Sequence, residues 1–353
     1  MKLQQSPIRQ ALSRLAQKTC REESIVNRRD CLRLGAAGLA AGYVRGTAAF
    51  AQSKYPQETI RLIVPYAPGG VVDAVARNWA ERMRGPVGTV IIQNEGGGGG
   101  TIGAATVAHA TPDGYTLLFG DTSSQIIAPY LMLHPSYDPA KDFSPVSMIA
   151  TSSTAIVVHP SIPAQSLSEF IAYAQSHQKD LSYASAGTGT VTHLAGELFK
   201  QLIKAPGILH VPYRGAGPGL IDLLAGTVPM MTPNVTSQVL SYHREGKIRI
   251  LAVCAPAPLK AAPEIPAAVT TLPGLVVQLT CGVLAPAGTS PAIVSQLSAA
   301  TAQVVQSPDF QKVMEAAGLD TRTDARSTFA QTYLAAERER LVPIIKAAGL
   351  EPS

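Results

Sequence analysis

The sequence predicts an α/β protein built as two lobes, on three observations. Short β-rich runs alternate with helical patterns along nearly the whole chain. Their spacing suits right-handed βαβ units and mostly parallel sheets. The 302 residues that follow Ala51 are enough to bury two cores.

Ile60-Arg-Leu-Ile-Val64 is the first strand. Val72, Val75, Ala76, Trp79, Ala80 and Met83 then recur at i, i+3, i+4, i+7, i+8 and i+11, one face of a helix. Further strands are expected at Thr89–Gln93, Tyr115–Phe119, Ala155–Val158, Leu181–Ala184, Ile208–Tyr213, Val228–Met231 and Ile248–Cys254. Ser166 with Glu169 forms a capping-box pair, and Ser290-Pro291 opens a long helix to about Gln306. Gly226, Gly246 and Gly318 stand where helix ends want a left-handed residue. The Pro/Ala-rich stretch from Ala255 to Pro273 reads as loop. A last strand, about Val276 to Leu284, leads into three C-terminal helices.

Residues 1–51 read as a signal peptide. Arg9, Arg14, Lys18, Arg21, Arg28 and Arg29 precede an apolar run, Leu34 to Tyr43, that ends in Ala49-Phe50-Ala51, a pattern cut by signal peptidase. The run is too short to span a bilayer of about 30 Å. Asn27-Arg28-Arg29-Asp30-Cys31-Leu32-Arg33 further resembles a twin-arginine export signal, with an ordinary secretory n-region as the alternative. The leader carries nine Lys and Arg against three Asp and Glu, so a chain of net charge +5 becomes one near −1 on its removal. The apparent basicity therefore belongs to the leader and argues nothing about nucleic acid. Cys254 and Cys281 remain after cleavage. Each lies in an apolar strand-like run, and two buried free thiols are expected, with a disulfide between them in an oxidising compartment as the alternative.

Three constellations carry possible chemistry. Pro65-Tyr-Ala-Pro-Gly-Gly-Val-Val-Asp73 joins a strand end to a helix start. Its glycines let backbone approach a ligand, and free N–H groups at the helix N-terminus favour an anion. Ser185-Ala-Gly-Thr-Gly-Thr-Val-Thr-His193 repeats that layout with hydroxyls and no charge before the histidine, suiting an anion that is hydrogen-bonded rather than ion-paired. His193 and Glu197 lie one helical turn apart, but with no further ligand at metal spacing they read as a structural pair. Gly98-Gly-Gly100-Thr-Ile-Gly103 satisfies G-x-G-x-x-G, with Asp121 closing the next strand, which is a dinucleotide fingerprint in outline. Consecutive glycines match that pattern easily, the helix is short, and this would be the second βα unit. An exported, Rossmann-like, cofactor-dependent oxidoreductase is thus the alternative reading. Hydrolase signatures such as G-x-S-x-G and H-E-x-x-H are missing from the sequence.

A family likeness runs through a longer series of motifs, in order. They are Pro65–Asp73, Asn94 with the glycine run to Gly103, Pro112-Asp-Gly-Tyr-Thr-Leu117, Tyr137-Asp-Pro, Lys141-Asp-Phe143 and Leu181-Ser-Tyr-Ala-Ser-Ala-Gly187. His193-Leu-Ala-Gly-Glu-Leu-Phe199, His210-Val-Pro-Tyr-Arg-Gly215 and Leu284-Ala-Pro-Ala-Gly-Thr289 follow. Over residues 54–353 the chain resembles the substrate-binding proteins of tripartite tricarboxylate transporters, the Bordetella-uptake-gene (Bug) family. The resemblance implies a periplasmic-binding-protein-like Venus flytrap with a mixed, mostly parallel sheet flanked by helices in each lobe. Residues 52–154 plus 278–353 would form one lobe and 155–277 the other. It implies a periplasmic receptor, monomeric and not an enzyme, that uses no cofactor or metal and binds no nucleic acid. Its partners would be a small carboxylate and the membrane permease components of such a transporter. By matching position, the ligand contacts fall on Gly69, Gly70, Asp73, Thr122 and Ser123 from one lobe. From the other come Ser185, Ala186, Gly187, Thr188, Thr190, His193 and Asn234. This chain departs from the family's pattern at Val71-Val72, where a small polar residue is usual. It departs also at Pro233 in place of an acid, and at Thr280-Cys281 in place of aromatics, so the ligand-sorting walls have changed.

Overall fold

The computed structural model describes residues 55–352 apart from Thr323. The leader, its twin arginines and the expected cut after Ala51 lie outside the described residues.

Eleven described strands form two sheets. The first contains β1 (Ile60–Val64), β2 (Val90–Asn94), β3 (Thr116–Asp121), β4 (Phe143–Ser153), β10 (Gln278–Pro286) and β11 (Asp320–Thr321), in the order β11-β4-β10-β3-β1-β2. The second contains β5 (Ala155–Val158), β6 (Ser182–Ser185), β7 (Leu209–Pro212), β8 (Met230–Met231) and β9 (Arg249–Val253), in the order β7-β6-β8-β5-β9. Both sheets are mixed. In the first, β1, β2, β3 and β4 share one direction, and β10 and β11 oppose them. In the second only β5 runs against the rest.

Helices cover these sheets: α1 (Val71–Val87), α2 (Thr101–Ala108), α3 (Leu167–Ser176), α4 (Val191–Leu202), α5 (Ala216–Leu224), α6 (Ser237–Arg244), α7 (Pro291–Gln306), α8 (Pro308–Ala316) and α9 (Ser327–Ala347). The apolar stripe expected on α1 is fully buried, and Trp79 at its centre donates from Nε1 to Thr301 Oγ1 of α7 at 3.3 Å. Each such large side chain contributes about 1.5–3 kcal/mol on burial, which is why this stripe fixes the helix on the sheet. Ser166 caps α3 by accepting from Glu169 N. Glu169 returns the bond to Gln165 N rather than to Ser166 N, so the capping box is offset by one residue.

Strand β4 was not among the strands expected. Its sequence, FSPVSMIATSS, hides eleven residues of strand behind Ser, Thr and Pro. It is nonetheless largely buried between β10 and β11, and its hydroxyls find partners: Thr151 pairs with Thr280 of β10, and Ser152 Oγ donates to Val235 O, beyond β8 of the other sheet. Pro145 sits at a register shift opposite Leu284, a place where a sheet tolerates a missing N–H.

The chain passes between the sheets at two adjacent points. Thr154 donates from both N and Oγ1 to Val277 O, while Cys254 N donates to Thr154 O and Val277 N to Cys254 O. A third link is α9. It packs on β4 and on the turn Ser123–Ile127, and also against α4. Leu341, Ile345 and Ala348 near its end share one core with Phe170 and Phe199 of α3 and α4. Cys254 and Cys281 are free and buried, and burial pushes the Cys254 thiol up to about 12.

Candidate functional site

Ligands of open α/β sheets bind outside the carboxyl ends of the strands. The residues singled out from the sequence lie there. Gly69 and Gly70 follow β1, Thr122 and Ser123 follow β3, Ser185 ends β6 with Ala186 to Thr190 after it, and Asn234 follows β8. The two sets of loops meet. Val191 N, at the start of α4, donates to Ser123 Oγ at 3.2 Å. A Cβ at Gly99 would lie 3.1 Å from Thr188 O and 3.4 Å from Gly189 O. Gly99 has φ +66, and glycine serves there both the turn and this close approach.

On the first side, α1 begins with Gly70 as its N-cap and has no side-chain capping bond. A helix start leaves its first N–H groups without intrahelical partners, and together with the macrodipole they attract an anion. Gly69 and Gly70 are exposed, and no atom lies within 4 Å of a Cβ built on either. Gly69 has φ +90 and requires glycine, whereas Gly70 is extended at φ −79 and ψ 172.

Asp73 is engaged elsewhere. It accepts from Gly69 N at 2.9 Å, from Arg77 Nε and Nη2 at 2.9 and 3.0 Å, and from Asn94 Nδ2 at 2.9 Å. Burial raises its carboxyl, but the bonds from Arg77, Gly69 and Asn94 outweigh burial and hold it below the usual carboxylate range. Asp73 therefore locks the Gly69-Gly70 turn in place, and Asn94 ties in the turn's start by donating to Tyr66 O as well. Under the same loop, Tyr66 Oη donates to Asp121 Oδ1 at 2.7 Å, beside Ser124 Oγ at 2.8 Å. Asp121 is buried and its carboxyl is raised by that burial, against the opposing hydrogen bonds of Tyr66 and Ser124.

Most of the second side's polar groups are satisfied from within. Thr190 caps α4 by accepting from His193 N at 3.3 Å, and its hydroxyl donates to Gly187 O at 2.7 Å. Ala186 N donates to Thr192 Oγ1, Gly187 N to Ser185 Oγ, and Gly189 N to His193 Nδ1. His193 thus faces the loop's backbone. Its ring stacks on His210 at 4.1 Å, and His210 on Tyr183 at 4.8 Å. Burial lowers the pKa of His193 in spite of Glu197. Burial, His193 and Lys200 lower that of His210 to about 3. Both rings are neutral at pH 7. Glu197 accepts from Tyr183 Oη and pairs with Lys200, as a structural partner would. Among the described residues no cluster of three or more His, Cys, Asp or Glu could hold a metal ion.

Thr122 is likewise committed, its Oγ1 accepting from Thr280 N at 2.9 Å. Ser123 opens a π-helical turn, Ser123–Ile127, of a kind frequent at functional sites. Asn234 Oδ1 is buried with no partner among the described residues. The sequence did not mark Arg77, Tyr66 or Thr192 as supports. An i,i+4 Asp73–Arg77 spacing was the one available signal, and Thr192 had none. At the departures, Val72 and Pro233 are buried, while Thr280 Oγ1 bonds Tyr333 Oη at 2.7 Å.

The glycine run does not form a nucleotide cradle. The carbonyls of Thr188 and Gly189 come against it from the opposite side, and carbonyl oxygens repel phosphate. α2 behind it has only eight residues.

Comparison with known proteins identifies the family and the fold. The model of the family described as "Tripartite tricarboxylate transporter family receptor" matches residues 75–350. Protein BugT of Bordetella pertussis is 33% identical over 322 residues, 90% of this chain and 95% of that protein. An R. palustris structure with adipate superposes with a TM-score of 0.79 at 30% identity, covering 85% of this chain and all of the other. MatC from Rhodopseudomonas palustris with bound malate gives 0.77 at 31%, covering 82% and 100%. The family model, the identity to BugT and the shared fold agree, and the chain belongs to the tripartite tricarboxylate transporter receptors, a periplasmic-binding-protein family of solute receptors and not of enzymes.

Proposed function

We propose that this chain is an exported periplasmic receptor that captures a small organic carboxylate and delivers it to the permease components of a tripartite tricarboxylate transporter. Residues 55–154 with 278–352 act as one lobe and 155–277 as the other, closing about Thr154 and Val277. The observation that carries the reading is the uncapped start of α1 at Gly70, exposed and with open space around it, at the seam where both sets of loops meet. A carboxylate placed there would accept from first-turn N–H groups, worth about 0.3–1 kcal/mol in an exposed setting and about 2 when partly buried. Adipate and malate in the two structural relatives support the ligand class. Gly69 and Gly70 supply approach, and Asp73 holds their turn. Ser123 joins the lobes. Ser185, Ala186, Gly187, Thr188, Thr190 and His193 shape the opposing wall, and Thr122 and Asn234 close its base.

The test is a thermal-shift screen of the mature protein across mono-, di- and tricarboxylates, followed by calorimetry and recovery of the ligand. A ligand that binds only the native state raises the melting temperature. The expected result is a rise with one or more acids, micromolar affinity or tighter (about −8 kcal/mol), and ligand returned unchanged. Chemically altered ligand would contradict a receptor.

A further inference from the structure

The loops at the strand ends are almost without charge. Residues 65–70, 95–100, 122–127, 186–190, 213–215 and 232–236 contain one cation, Arg214, and one anion, Glu95. Glu95 accepts from Gln93 Nε2 at 2.6 Å. The nearby Asp73 and Arg77 neutralise one another, and Asp121 is buried against Tyr66. Arg214 is exposed and has no acidic partner among the described residues.

Its position is fixed by backbone. Tyr213 N donates to Ser185 O at 3.0 Å and Gly215 N to Ala186 O at 3.1 Å. Arg214 is thereby held one strand spacing from the Ser185–Gly187 wall. A Cβ at Gly187 would lie 3.1 Å from Tyr213 O, so the two loops are in contact. Tyr213 itself bonds Asp222, at 2.6 Å. The loop lies at the outer end of its sheet, as the start of α1 lies toward the outer end of the other. Counted outward from the crossing points, β7 is the last strand of its sheet, and β1 and β2 are the last two of theirs.

We propose that Arg214 is a specificity-determining residue that reads the second carboxylate of a diacid whose first carboxylate sits at the start of α1. This rests on the receptor reading above. One uncapped helix terminus answers one carboxylate; a second, several carbons away, needs its own donor, and a guanidinium is matched to it in charge and geometry. The uncharged seat and the lone arginine then divide the work: the first holds any carboxylate, and the second selects for two.

The experiment is calorimetry of the mature protein with two matched pairs, adipate against hexanoate and succinate against butyrate, on wild type, Arg214→Ala and Arg214→Lys. Wild type is expected to prefer the diacid of at least one pair. Arg214→Ala should weaken that diacid by about tenfold or more, as loss of a charge-assisted bond does, and leave the monoacid of the pair unchanged. Arg214→Lys should recover part of the loss. Equal loss for both members of a pair would show that Arg214 merely shapes its loop and would overturn the proposal, as would no loss at all. Wild-type protein that binds no diacid better than its matched monoacid would overturn the proposal as well, whereas absence of binding across the whole carboxylate screen would overturn the receptor reading itself, a result separable because it needs no variant.

Discussion

Two helices begin at the same seam, and they begin differently. α4 starts with Thr190, whose hydroxyl accepts from His193 N, and its next N–H is taken by Ser123 from the other set of loops. α1 starts with Gly70, no side-chain cap, and open space. A side-chain cap is worth about 0.5–2 kcal/mol over alanine, and glycine forgoes only a few tenths of that. One terminus is capped by the protein itself, and the other is the seat proposed above for the ligand. The contrast teaches where to look within a clamp whose two loops are alike in sequence: both are rich in Gly and small residues, but only α1 starts without a side-chain cap.

The strongest way to break this contrast is Gly70→Val. Its backbone is extended and no neighbour stands within 4 Å of the added Cβ, so the fold should persist, with stability lowered by about 1 kcal/mol because valine is a poorer N-cap than glycine. Carboxylate binding, measured by calorimetry, should be lost because backbone approach is blocked. Undiminished binding would move the seat away from α1.

Thr190→Val addresses the finished terminus. It removes the cap and the bond to Gly187 O, and should lower stability in urea by about 0.5–2 kcal/mol. The loss should appear in ligand-free protein. A variant with wild-type stability and abolished binding would show Thr190 to be a ligand contact after all.

How much of this was legible in the sequence depends on what sort of interaction is asked about. The α1 stripe announced itself because burial of Val72 through Met83 follows the helical period. β4 did not, since its serines and threonines resemble loop until their partners on β10 and beyond are known. The site loops could be placed at strand ends from Gly, Ser and Thr patterns. Which of their atoms were free could not. Asp73 is spent on Arg77, Asn94 and Gly69, Thr122 on Thr280, and His193 on Gly189, and each of those bonds depends on geometry. The attachment of α9 to both α4 and β4 is equally tertiary, and nothing in its local pattern distinguishes its two ends.

A smaller effect should appear with pH. His210 is held neutral, its pKa lowered to about 3 from an ordinary 6.5 by burial, His193 and Lys200. The unfolded chain binds a proton there that the folded chain refuses, so the folded state is progressively disfavoured as pH falls from about 6.5 toward 3. Between pH 6.5 and 5 most carboxylates remain ionised, and the fall in urea midpoint in that interval should flatten in His210→Gln. An unchanged slope would remove His210 from the account, though not the seat on α1.

The most direct measurement is on Gly70→Asp, followed by melting temperature and calorimetry on the same preparation. Aspartate at this position is an N-cap that completes α1 in the manner Thr190 completes α4, and it sets a negative charge where the carboxylate would lie. The expected result is a melting temperature equal to or above that of the ligand-free wild type, with carboxylate binding gone. Binding that survives in a protein so capped would contradict the claim that the start of α1 is the anion's seat.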